Sequence, residues 1–194
     1  MIPNAKSFFI YLFLCLIFLN IVISKRNYNL LISDTKCTSN PEFVATYSCT
    51  LEKSSNFPKS NIEFQMKKGI KEYRVDFLVS IHKSNKQKST IFKAANIDGC
   101  TLLQQEFNEP IVKMFQKVLL DPNNTIPRTC PVPSDYHYQM QNIVLDQEFL
   151  PAILPEVGFV IEIISKEKKT IFFSVEITGK INYFNKKSNK GRKH

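Results

Sequence analysis

The chain has 194 residues, 43% hydrophobic, 22% charged and 12% aromatic, with 5 Gly and 10 Pro. That length fits one domain, and the composition excludes disordered, collagen-like and mucin-like classes. The net charge is +9, and glycine is scarce with neither GxGxxG nor GxxxxGK(S/T) present, which argues against a nucleotide-binding fold.

The amino terminus reads as an address. Lys6 precedes an apolar run from Phe8 to Ile23, followed by Ser24. A short basic region, an apolar core and small residues at Val22 and Ser24 form a secretory signal peptide, cut after Ser24. The run is 16 residues long and broken by Asn20, whereas a spanning helix wants roughly 20. Residues 1–24 are therefore expected to be removed, and the mature protein to be secreted and extracellular. No later segment is apolar for long enough to span a bilayer.

Most of the mature chain alternates with period two. Strands are expected at Asn29–Thr35 and Phe43–Leu51, and at 61–67, where Ile62, Phe64 and Met66 share a face. Tyr73 to His82 alternates for ten residues, with Tyr73, Val75, Phe77, Val79 and Ile81 on one side. The Gly-containing link Lys68–Lys71 suggests that these two runs form a hairpin. A strand at Thr90–Ile97 follows. From Cys100 to Leu120 the apolar spacing changes to three and four, with Leu103, Phe107, Ile111, Met114, Phe115 and Val118 recurring. That predicts a helix from about Pro110 to Leu120, with Asn108 as cap and Asp121-Pro122 as stop. A strand at Asp135–Leu145 comes next. The last hairpin joins Val157–Ile163 to Thr170–Tyr183 through the turn Ser165–Lys169. Its second strand puts Ile171, Phe173, Val175, Ile177, Gly179, Ile181 and Tyr183 on one face. Eight such strands predict an all-β fold, a sandwich or barrel with mostly antiparallel pairing, over residues 27–184.

Cys15 leaves with the leader, so Cys37, Cys49, Cys100 and Cys130 enter an oxidising compartment as an even set of disulfide formers. Cys37–Cys49 and Cys100–Cys130 are favoured because each closes a local loop, stabilising by about 3 and about 3.5–4 kcal/mol. The pairing Cys37–Cys130 with Cys49–Cys100 stays open on the sequence. Zinc is not expected, since CxxC and HxxxH are absent and His82, His137 and His194 are scattered. The one N-x-S/T sequon places a glycan on Asn123, in a turn-rich stretch between Pro122 and Pro127. The tail 185–194 holds five basic residues and no acid, which leaves 20 basic against 17 acidic residues over 25–184. The tail is expected to be a solvated arm that could touch anionic surfaces. Nucleic acid is not an expected partner, because the leader points outside the cell and no aromatics interleave with the tail's cations.

Catalytic chemistry is not legible. GxSxG is absent, and Asp98, Glu106, Glu109 and Asp121 read as solvated acids around the helix. No catalytic residue, metal ligand or cofactor is assigned. The chain instead has apolar volume, with twelve of its 16 Phe in the mature part. A closed core is the physical default for such a sandwich, and a ligand cavity is the alternative.

The ordered set Asn96-Ile-Asp-Gly-Cys100-Thr-Leu-Leu103, Pro110-Ile-Val112, Asn123-Asn-Thr125, Cys130-Pro131 and Leu154-Pro-Glu-Val-Gly158 resembles a family. It is a large insect family of small secreted, mostly uncharacterised proteins that includes the chemosensory CheA and CheB proteins. The resemblance spans about residues 29–183. Such proteins are similar to the lipid-recognition (ML) domain of the ganglioside activator. The resemblance implies an immunoglobulin-like, ML-like two-sheet β-sandwich with one short helix inserted between strands, whose sheets can part to admit an acyl chain. It also implies binding of a lipid or hydrophobic chemical signal, in chemosensation or lipid transport. No ligand residue carries over from the family. Gly99 stands where a bulkier residue is expected, which would loosen the start of the helix.

The leading reading is thus a secreted, non-enzymatic binder of a lipid or other hydrophobic small molecule. Cavity candidates taken from the apolar faces are Phe64, Met66, Phe77, Val79 and Met114, together with Phe115, Phe159, Ile161, Phe173 and Val175. The helix would serve as a lid or side wall. The alternative is a ligand-free extracellular module that docks on a membrane receptor or channel.

Overall fold

The computed structural model describes residues 27–53, 57–82, 87–151 and 153–183. The expected leader (1–24) and basic tail (185–194) lie outside the described residues. Among the described residues eight strands form two antiparallel sheets. They are β1 (Tyr28–Ser39), β2 (Val44–Glu52), β3 (Lys59–Met66), β4 (Arg74–His82), β5 (Lys88–Asp98), β6 (His137–Ile143), β7 (Gly158–Glu167) and β8 (Thr170–Tyr183). One sheet has the order β1-β8-β7-β4-β5 and the other β2-β3-β6. The helix α1 (Pro110–Leu119) lies between β5 and β6 in the chain. The fold is an all-β sandwich with one short helix, so of the sandwich or barrel that the alternation left open the sandwich forms.

The alternation holds because one face of each strand enters the space between the sheets and the other meets solvent. Ile62 and Met66 of β3, Val75, Phe77 and Val79 of β4, and Val175, Ile177 and Ile181 of β8 are all buried. Fully burying one such side chain stabilises by about 1.5–3 kcal/mol. Deep in the same layer the hydroxyls of Thr35 (β1) and Ser60 (β3) hydrogen-bond to each other across the sheets. That pairing removes the cost of burying two polar groups.

Two expectations about the strands change. The runs 61–67 and 73–82 do not form a hairpin. β3 pairs with β2 and β6, whereas β4 pairs with β5 and β7. The link between them crosses from one sheet to the other, because its middle is tied down elsewhere. Ile70 is fully buried and exchanges both backbone hydrogen bonds with Val132, at 3.0 and 2.8 Å. The amides of Lys67 and Lys68 donate to the Phe43 carbonyl. The second change is at the β7–β8 hairpin, which forms but carries an irregularity between Ser165 and Lys166, opposite Ile171–Phe173. The extra residue flips the strand's start, so Ile171 is half exposed and Phe172 is buried.

α1 buries Val112, Met114 and Phe115. Phe115 stacks on Phe77 of β4 with ring centroids 5.3 Å apart, which ties the helix to the five-stranded sheet. Pro110 opens the first turn as expected, but the cap is Glu109 and makes no side-chain hydrogen bond. Asn108 is not the cap. At the other end the Leu120 amide donates to Gln116 and Lys117 pairs with Asp146 at 2.8 Å.

The disulfides are Cys37–Cys49 and Cys100–Cys130, with Cα–Cα separations of 6.0 and 5.3 Å. The first ties β1 to β2, hence one sheet to the other. The second ties the turn after β5 to the segment before β6.

Candidate functional site

A cavity of about 110 Å³ lies between the sheets, at the end of the sandwich closed by α1. Ile62, Phe64, Met66, Met140 and Ile143 form the wall from the three-stranded sheet. Val75, Phe77, Ile163, Val175 and Ile177 form the opposite wall, with Phe172 and Phe173 beside them. Phe115, Val118 and Leu119 of α1 close one side. Leu102, Leu103, Ile126, Pro127 and Val132 complete the enclosure from the two segments that Cys100–Cys130 joins. The polar side chains in this lining are those of Tyr73 and Ser165, and no lining residue is charged.

The turn behind that wall is built locally. Asp98 accepts from the Cys100 amide at 2.9 Å and its backbone carbonyl accepts from the Thr101 hydroxyl at 3.3 Å. Gln104 and Gln105 both donate backbone hydrogen bonds to the Thr101 carbonyl, making a single tight turn. This places Leu102 and Leu103 on the cavity. Gly99 has a different role from the one its position suggested. It lies eleven positions before Pro110, under the Tyr73 ring, where an added Cβ would sit 2.1 Å from a ring carbon. The Gly99 amide donates to the Tyr73 carbonyl at 2.9 Å. Glycine thus lets the Tyr73 ring lie flat against the chain. Burial, and then the negative charge of Asp98, push the Tyr73 phenol up to about 12.

Of the ten candidates, Phe64, Met66, Phe77, Phe115, Phe173 and Val175 line the cavity. Val79, Phe159 and Ile161 are buried but lie elsewhere. Val79 pairs with Ile161, and Ile81 with Phe159, toward the far end of β4 and β7 from the cavity. That end is filled: Phe159 lies over Gly179, where a Cβ would approach its ring to 2.2 Å. Met114 is buried and does not line the cavity; it borders a separate, open, mixed-polarity depression of about 430 Å³ that Lys117, Asn124 and Asp146 also line. Periodicity fails to separate these positions because it assigns a face, not a depth along the strand. Ile62, Val75, Ile163 and Ile177 stood on the same legible faces and belong to the site. Ile126 and Val132, in the loops beyond α1, carried no periodic signal, because the disulfide and the sheet crossing bring them to the cavity.

Asn123 is exposed in the turn after α1, with its side chain donating to Asp121 at 3.0 Å. The adjacent Asn124 is buried, donating to the Val118 carbonyl and accepting from the Gln141 amide. Among the described residues no group of three His, Cys, Asp or Glu could hold a metal, and no helix is long and apolar enough to cross a membrane.

A family model described as "Protein of unknown function (DUF1091)" matches residues 74–161. That segment runs from β4 through α1 and β6 into β7. A Niemann-Pick type C2 protein from the Japanese carpenter ant is a similar solved structure, at 11% identity and a TM-score of 0.31. The match covers 78% of this chain and 92% of that one. No curated protein matches the chain.

Proposed function

We propose that this protein binds a lipid or other hydrophobic small molecule between its sheets, without catalysis. The observation that supports this reading is the cavity between the sheets, whose lining has no charged residue. An apolar molecule that enters loses its water-facing surface. Burying about 250 Å² of it contributes about 6 kcal/mol, before the cost of association. The cavity of about 110 Å³ is smaller than typical ligand sites, which run to roughly 300–1,000 Å³. Binding an acyl chain therefore requires the walls to part, with α1 and the Cys100–Cys130 segments as the side that yields. In this reading the protein is secreted after cleavage at Ser24, carries a glycan on Asn123, and belongs with the insect family of the CheA and CheB proteins. Chemosensation or lipid transport is its setting, and the basic tail contacts anionic surfaces.

The small size of the cavity favours one rival, a ligand-free module that docks on a receptor or channel. A native mass spectrum of the secreted protein separates the two. A bound mass of a few hundred daltons, lost on denaturation, is expected. A bare polypeptide-plus-glycan mass would favour the rival. The chain has no Trp, so Leu103→Trp adds a single reporter to the cavity wall. Its emission should be quenched by N-phenyl-1-naphthylamine in the cavity, and unquenched emission at saturating probe would overturn the reading.

A further inference from the structure

Tyr138, on β6, is 1% exposed, and its hydroxyl is the buried side-chain polar atom without a hydrogen-bond partner among the described residues. Other deeply placed polar groups are matched. The Tyr28 hydroxyl donates to the Pro151 carbonyl at 2.6 Å, and that of Tyr183 donates to Leu154 at 2.5 Å. Ser80 meets Thr90, and Asn124 makes two bonds. An orphaned buried donor is costly and calls for an explanation.

Its position supplies one. Tyr138 is the register partner of Phe64, and their rings lie 5.2 Å apart. Phe64 lines the cavity, as does Met140, two residues along β6 on the face that Tyr138 shares. Tyr138 thus stands beside Phe64 on the inward face of the three-stranded sheet. The Phe64 ring borders both the cavity and the Tyr138 ring, so a ligand that displaces it reaches Tyr138. The lining offers no cation, so a carboxylate would be buried without a counter-charge.

We propose that the ligand is uncharged, apolar and carries one hydrogen-bond acceptor, an ester, ketone or alcohol oxygen, to which the Tyr138 hydroxyl donates. The inference rests on the cavity-binding reading and narrows its ligand class. Burial, and then Tyr136 and Tyr73, raise the Tyr138 phenol to about 12, so the group remains a donor at neutral pH.

The test is displacement of N-phenyl-1-naphthylamine at pH 7 from the wild-type protein and from Tyr138→Phe. The competitors share one skeleton: octyl acetate, octan-1-ol, octanoate and octane. Wild type should bind octyl acetate at least roughly tenfold more tightly than octanoate. Tyr138→Phe should weaken octyl acetate and octan-1-ol roughly fivefold to tenfold and leave octane unchanged. Its thermal midpoint should stay level or rise, since the substitution removes an unmatched group. Equal binding of octanoate and octyl acetate would overturn the inference without needing any variant. So would unchanged octyl acetate affinity in Tyr138→Phe, and a fall in its thermal midpoint alongside would assign the hydroxyl to a buried water. In either case a bound naphthylamine probe leaves the cavity reading standing. Failure of the probe itself to bind would sink both.

Discussion

Replacing Cys100 and Cys130 together by serine tests whether the bridge holds the cavity's loop wall. The bridge closes 30 residues of chain. Loop-closure entropy for that span gives about 3.6 kcal/mol at 25 °C, against about 2.8 for the 12-residue Cys37–Cys49 loop. A domain of ordinary stability has about 5–15 kcal/mol in total, so the double variant should fold but lose a large share. With a urea slope of about 2 kcal/mol per M, the midpoint should fall by about 1.8 M. Equilibrium unfolding in urea, followed by circular dichroism, measures it. The variant should also bind N-phenyl-1-naphthylamine more weakly. Leu102 and Leu103 on one side of the bridge, and Ile126, Pro127 and Val132 on the other, would no longer be tied together. A loss under about 1 kcal/mol, with binding intact, would refute the reasoning. Packing of those five residues would then suffice to hold the wall.

Gly99→Ala should destabilise by about 1–3 kcal/mol, read as a lower urea midpoint, because its Cβ would meet the Tyr73 ring. A neutral effect would mean that the ring can turn aside freely. The Asp76 carboxyl feels opposing influences: burial pushes it up, but the Lys166 hydrogen bond, the Asn96 amide at 2.8 Å and the charges of Lys166 and Lys93 hold it below the usual range. A carboxyl depressed in the folded state stabilises above its unfolded value near pH 4, and that contribution is lost as pH falls through the folded value. Asp76→Asn should therefore flatten the acid limb of a thermal-midpoint profile below about pH 4. Parallel acid limbs for the two proteins would contradict that.

The strands and the helix were legible because their signals are local. Tyr73–His82 and Thr170–Tyr183 alternate strictly, and the change to three- and four-residue spacing marks Pro110–Leu119. An even set of four cysteines behind an expected leader implied two bridges, and loop length favoured the pairing that forms. Other features depended on contacts between distant residues. The partner of β3 is set by Ile70 meeting Val132, 62 positions on, which no turn residue in Lys68–Lys71 discloses. The bulge that buries Phe172 instead of Ile171 depends on the opposing strand. Period two names the face of Val79, Phe159 and Ile161 correctly, yet these fill the closed end while Val75, Phe77 and Ile163 border the cavity. Hydrophobic pattern sets which side of a strand leaves water. The assembled sheets, α1 and the Cys100–Cys130 segments decide where the packed layer is left incomplete, because a void is the difference between many volumes brought together from separate parts of the chain.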